Sequence, residues 1–271
     1  MRSRLSRWHW HWLSLAVSLA LLAAACGGTG GDDGDDGGGI DPVFDSAITR
    51  VVIEIDHETG QEPYTGPVLG FGDTFDLTAE NVDRLFSGKK MLTVPRTAAE
   101  MEDVGAVADE ELTSADLLAL AEAHRGRKDE AGTKTYYVLF ISGHFADADG
   151  VQPSVLGVSL GNTGVIAMFK DVIRSTSAAT LPNLVRFVEQ STLVHELAHS
   201  IGLVDNGLPA TSAHVDTPHG AHCTNDKCVM YYLNEGATDA AMFARQVITT
   251  GNRILFDASC LADADAVTGG R

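Results

Sequence analysis

The residues with the plainest chemical content form the segment HELAHSIG, residues 195–202. His195 and His199 stand four positions apart, and Glu196 directly follows the first histidine. On a helix, side chains at i and i+4 share a face, so both imidazoles can present a nitrogen to one metal ion. Glu196 then projects beside the pair, where a carboxylate can take a proton from a metal-activated water. Zn2+ is the ion this donor pattern calls for, and the chemistry is hydrolysis with Glu196 as general base. Two histidines and a carboxylate on an otherwise apolar helix need a compensating partner, because burying them unpaired is costly.

Several elements must hold that pattern in place. Thr180 and Pro182 read as the approach to a helix that runs from Leu184 to Ile201, with Gly202 as its stop. Upstream, residues 47–56 and 135–141 read as strands, the latter rich in aromatic and β-branched side chains. Residues 155–160 and 165–169 read as a hairpin around the turn Gly161-Asn-Thr-Gly164. Residues 81–88 and 114–125 read as helices, the second opened by a Ser/Asp cap pattern, and Asp239–Ala264 reads as one long helix. No internal repeat is present.

The extended form HExxHxxGxxD, followed by Met230, resembles the metzincin clan of zinc metallopeptidases. The segment around 222–231 is also similar to that of a group of predicted bacterial lipoprotein metallopeptidases. The resemblance is specific over residues 192–232 and implies an α+β, metzincin-like fold. That fold comprises a small mixed sheet, an active-site helix carrying HExxHxxG, a methionine turn and a C-terminal helix. It further implies an endopeptidase acting on peptide or protein substrates laid along a sheet edge above the metal. In the clan the glycine turns the chain so that a third ligand reaches the metal, and here two residues compete for that role. Asp205 stands at the usual distance from HExxH and matches the aspartate of snapalysin-like members. His222, with Cys223, Cys228 and Met230, reproduces the His-Cys-x4-Cys-x-Met spacing of archaemetzincins. His222 is the preferred of the two, because a Cys223–Cys228 bridge would hold it near the methionine, and Asp205 stays as the alternative. Glu235 as a distant ligand, in the manner of gluzincins, leaves Gly202 without a purpose. Tyr232, two residues after Met230, matches the tyrosine that stabilises the oxyanion in astacin-like and serralysin-like members; its other reading is a packing aromatic. His214 and His219 read as loop residues, with a His214–Asp216 pair as one option.

The chain ends and its charge add limits. Residues 1–25 have a basic start (Arg2, Arg4, Arg7) and an apolar core from Leu13 to Ala25, which reads as a signal peptide. The ending LeuAlaAlaAlaCys resembles a bacterial lipobox, which implies a lipid on Cys26 and a place in the bacterial cell envelope, at the outer membrane or cell surface. Residues 26–41, almost wholly glycine and aspartate, form a flexible tether, and residues 42–271 form the metallopeptidase domain. All three tryptophans lie within the leader, and losing its three arginines takes the formal charge from −18 to −21. Such an acidic chain presents no basic patch for nucleic acid. Besides bridging Cys228, Cys223 leaves other options open: Cys260 can stay free, replace one partner, or join the other two and a histidine on a structural zinc.

Two other classes fit parts of the sequence. GlyValSerLeuGly at 157–161 matches the nucleophile elbow of a serine hydrolase using Ser159, but that motif requires a helix directly after the serine. A non-catalytic, metal-stabilised envelope lipoprotein would keep the histidines and leave Glu196 without a task. AspAlaAspGly at 147–150 reads as a turn or as a calcium loop.

Overall fold

The computed structural model describes residues 40–268 of the chain. The leader, Cys26 and nearly all of the glycine–aspartate tether lie outside those residues.

A central sheet sets the frame. Its strands are β1 (Arg50–His57), β2 (Met91–Thr93), β3 (Thr133–Ile141), β4 (Gly157–Ser159) and β5 (Val165–Phe169), in the order β4-β5-β3-β1-β2. The short segment Glu102–Asp103 also pairs with the end of β1. β1, β2, β3 and β5 run parallel, and only β4 is antiparallel to its neighbour. Parallel pairing therefore dominates more than an α+β reading suggests, and the result is a mixed α/β architecture. Parallel strands need covering on both faces. Accordingly β3 and β5 are buried along nearly their whole length, through Tyr136, Val138, Phe140, Ile166 and Met168.

The helices are α1 (Asp76–Leu85), α2 (Ser114–His124), α3 (Lys170–Ser175), α4 (Leu184–Ile201), α5 (Ala237–Thr250) and α6 (Ala258–Thr268). α1 begins five residues before the expected Asn81, with Asp76 in its first turn, where a carboxylate suits the helix dipole. α2 starts at Ser114, but its cap is the preceding threonine rather than a serine: Thr113 and Asp116 form a reciprocal capping box. The hairpin of β4 and β5 also forms as read, around a short 3-10 turn at Gly161–Thr163. Residues 147–150 make a tight turn between His144–Asp147 and Gly150–Gln152, with Asp147 accepting from the Asp149 N–H at 2.9 Å.

The expected long helix 239–264 is instead two. Gly251 takes a left-handed conformation (φ +68°) and ends α5, which residues with a Cβ adopt at a cost. The freed segment delivers Leu255, whose carbonyl accepts the Val229 N–H at 2.9 Å and whose own N–H reaches the Asn81 side-chain oxygen at 2.7 Å. The break thus braces the backbone that lies beneath the histidines.

α4 forms over the residues expected, Leu184–Ile201, with Gly202 left-handed at its end (φ +97°). It packs against β4, β5, α1 and α5, and nearly every residue in it is buried. Its first half is pinned by a buried ion pair: Lys170 at the start of α3 meets Glu189, the two side chains being 1% and 0% exposed. Glu189 Oε1 also accepts the Tyr64 N–H at 2.7 Å, and Lys170 Nζ lies 3.9 Å from the centre of the Tyr64 ring. Burial drives the Glu189 pKa up and the Lys170 pKa down, each against the attraction of the other.

Candidate metal centre

One turn of α4 puts His195 over His199, as their spacing requires, with Nε2 atoms 3.0 Å apart. His222 arrives from the loop beyond the helix, its ring 5.3 Å from that of His195 and 4.9 Å from that of His199, centre to centre. Each ring's orientation follows from what its other nitrogen touches. His195 Nδ1 lies 2.7 Å from the Val229 carbonyl and His222 Nδ1 lies 2.6 Å from the His219 carbonyl. A carbonyl oxygen only accepts, so both Nδ1 atoms carry the proton and both Nε2 lone pairs face the shared space. This is the way metal-binding histidines are aimed and held.

The backbone around His222 is equally fixed. The Cys223 N–H donates to the Met230 carbonyl at 2.8 Å, and Met230 is fully buried. Asn234 donates to the carbonyls of both Cys228 and Val229 at 3.0 Å, tying down the strip that orients His195.

Glu235 completes the group. His195, His199, His222 and Glu235 offer ligand atoms that all lie within 4.8 Å of one another. Its Oε1 is 2.8 Å from His222 Nε2 and 3.7 Å from His195 Nε2. Asp205 does not join them. It is exposed in the turn after α4 with φ +61°, following Val204 at φ +58°, so the sharp reversal spends Asp205 on the turn itself. Glu235, not Asp205, stands with the histidines, and this does not leave Gly202 without a purpose. Gly202 serves instead to let the chain fold back, since a Cβ there would come within 2.9 Å of the Asn206 carbonyl.

Glu196 is 4% exposed and lies under β4. A Cβ on Gly157 would sit 3.1 Å from Glu196 Cγ, so the missing side chain is what lets the carboxylate lie against the strand. Burial, then the neighbouring Glu235 charge, pushes the Glu196 pKa well up, while a backbone hydrogen bond from Ser159 opposes this. His199 is pushed well down by burial and by the other two imidazoles, which keeps its ring neutral. For Glu235, burial opposes ionisation, but the His195 and His222 rings beside it outweigh burial and hold its pKa well below the ordinary carboxylate value. Three imidazoles and a carboxylate are a zinc donor set. In a tetrahedral site with bonds of about 2.0–2.1 Å, ligand atoms stand about 3.3 Å apart, which is near the 2.8, 3.0 and 3.7 Å found here. His222 Nε2, buried and without a hydrogen-bond partner, fits the same reading.

The other expected site residues fall as follows. Tyr232 opens the 3-10 turn Tyr232–Glu235, and its ring stacks on His219 at 3.6 Å and 4°. His219 is paired with Asp216 at 2.9 Å, while His214 pairs with Asp263 at 3.1 Å rather than with Asp216. Ser159 Oγ meets Ser200 Oγ at 2.8 Å, and β4 leads into a hairpin turn instead of a helix, so no serine nucleophile is assembled.

The cysteines form a second group. Cys223, Cys228 and Cys260 are free and fully buried, so the expected Cys223–Cys228 bridge is absent. The N-terminal end of α6 brings Cys260 Sγ to 3.6 Å from Cys228 Sγ, and Asp257 Oδ2 lies 3.5 Å from Cys223 Sγ. The ligand atoms of these four residues gather within 4.8 Å, a set that could hold a second metal ion, with Asp257 where a histidine was expected. Hydrogen bonds from Cys228 and Cys260 pull the Cys223 pKa down to about 4. In the sequence, Asp257-x-x-Cys260 is the available signal, but it falls inside the stretch 239–264 that reads as one helix.

No protein-family profile and no curated protein matches the chain. Solved structures resemble it, among them the following two. An archaemetzincin from Methanopyrus kandleri is 14% identical, with a TM-score of 0.47 over 83% of this chain and 98% of the other. A zinc-dependent peptidase from Methanocorpusculum labreanum (strain Z) is also 14% identical, with a TM-score of 0.42 over 79% of this chain and 99% of the other. Both likenesses are partial, and the chemistry of the centre rests on its own side chains.

Proposed function

We propose that this chain is a zinc-dependent endopeptidase of metzincin type. The observation that carries the reading is the convergence of three Nε2 atoms, from His195, His199 and His222, with Glu196 buried beside them under an edge strand. Zinc held there would supply a Lewis acid that acidifies water and polarises a carbonyl. Glu196 takes the proton of the attacking water on its carboxylate and returns it to the leaving nitrogen. The outer edge of β4 is unpaired among the described residues, so an extended peptide can add to it as a further strand. Tyr232 would donate its phenol to the oxyanion after leaving its stack with His219.

We assign residues 42–271 to this domain and place it at the bacterial cell envelope, held by a lipid on Cys26 through the tether. Among the described residues no helix is long and apolar enough to cross a membrane.

The test is metal analysis of the mature protein with peptide-library cleavage by wild type and Glu196→Gln. The variant is expected to retain zinc and to lose most of its activity; equal cleavage by both would remove Glu196 from the mechanism. One observation favours a second reading. Glu235 brings the donors to four, the number of a closed structural site, and a purely stabilising metal would leave wild type and variant equally inert.

A further inference from the structure

The position of Glu235 has a function if the zinc reading holds, and the inference rests on that reading. Oε1 lies 2.8 Å from His222 Nε2, yet that buried nitrogen makes no hydrogen bond. His222 Nδ1 already donates to the His219 carbonyl, so in the neutral ring that binds a metal Nε2 offers its lone pair. Two groups that present lone pairs to each other at this distance are neighbours around a cation rather than partners in a hydrogen bond. The same oxygen is 3.7 Å from His195 Nε2, which places it at a vertex shared with the imidazoles.

What holds the carboxylate there is equally informative. Among the described residues no backbone or side-chain donor other than the imidazoles reaches it, and the side chain is 17% exposed. The adjoining backbone is anchored through Asn234, which bonds two carbonyls, so Glu235 can turn away by its own side-chain torsions with the turn unmoved. A buried carboxylate that supported the fold would be expected to carry several donors, as Glu189 and Glu58 do.

We propose that Glu235 is a detachable fourth protein ligand, which closes the centre at rest and must swing out before water and substrate can enter. The resting enzyme would then carry its own inhibitor, and occupancy of the cleft would set its activity. Closed four-ligand sites are structural and three-ligand sites catalytic; a ligand on a free side chain lets one centre be both in turn.

The test uses the full mature protein loaded with Co2+, and reads the visible difference spectrum on addition of azide. A cobalt ion with four protein ligands gives no azide-dependent change, whereas an open vertex does. Wild type is expected to require at least ten-fold more azide than Glu235→Ala or Glu235→Gln for the same spectral change. Both substitutions should also raise peptide cleavage, with Glu196→Gln matching wild type in azide response while losing cleavage. Equal azide affinity in wild type and both Glu235 variants overturns the proposal and leaves the zinc reading standing. Failure of the histidines to bind cobalt or zinc overturns both.

Discussion

Replacing Lys170 with methionine tests how the active helix is held. The substitution keeps the apolar stem and volume but strips Glu189 of its cation, leaving a carboxylate with 0% exposure and one N–H donor, that of Tyr64. Breaking a buried pair by removing one member costs about 3–5 kcal/mol. For a domain of this size that corresponds to a fall in Tm of roughly 6–20 °C. The pH dependence gives the stricter check. In the variant, burial still raises the folded-state Glu189 pKa above the ordinary 4.5 and the main opposing cause is gone. The folded state then binds more protons than the unfolded one above pH 4.5, so the stability deficit grows by roughly 1.4 kcal/mol per pH unit until the carboxyl ionises. Below pH 4.5 both states are protonated and the deficit should be at its smallest. Chemical unfolding followed by far-UV circular dichroism, on wild type and variant between pH 4 and 8, reads this directly. The double variant Lys170→Met/Glu189→Leu should lose the pH dependence and keep only about 1–3 kcal/mol of deficit from the orphaned Tyr64 N–H. A deficit below 1 kcal/mol, or one independent of pH, would refute the assignment of a charged buried pair.

Further outcomes follow from the centre itself. Gly157→Ala would place a Cβ 3.0 Å from Met168 Sδ and 3.1 Å from Glu196 Cγ, so cleavage should fall by about 10- to 100-fold while zinc content holds; unchanged kcat would mean that Glu196 tolerates the shift. Tyr232→Phe should lower kcat about 100-fold with little change in KM if the phenol meets the oxyanion, and no kinetic change would reduce it to a packing partner of His219. Metal-loaded protein should keep Cys223, Cys228 and Cys260 unreactive to thiol reagents until a chelator is added, and Cys260→Ser should lower the metal stoichiometry from two to one. Prompt reaction of all three thiols in loaded protein would count against a second metal.

How much of this was legible in the sequence depends on how local each determinant is. The helix with His195 and His199, its stop at Gly202 and the hairpin that covers Glu196 are written in spacing over a few residues, and they form as read. His222 was legible through its neighbours Cys223, Cys228 and Met230. What escaped depends on the path of the chain in space. Asp205 has the right separation from HExxH, but two consecutive left-handed residues at 204 and 205 turn it to solvent. Glu235 and Asp257 reach their groups through the 3-10 turn after Met230 and through the break at Gly251, neither of which leaves a periodic mark. Helical periodicity runs across Gly251, so one helix was read where two stand. The parallel pairing of β1 with β3 joins strands some eighty residues apart, a separation at which only the finished fold shows register.

His222 and Cys223 are consecutive residues, and each belongs to a different donor group. A single peptide unit therefore bridges the two centres, and its orientation is fixed by the Cys223 N–H to Met230 carbonyl bond at 2.8 Å. Freezing that unit from one side removes conformational freedom that the other side would otherwise have to remove. Were both groups to hold ions, their loading would be a linked equilibrium, in which the first ion bound raises the affinity for the second. Stripping metal from the thiols would then loosen the imidazoles as well, so a half-loaded chain would hold its remaining ion less tightly than a fully loaded one.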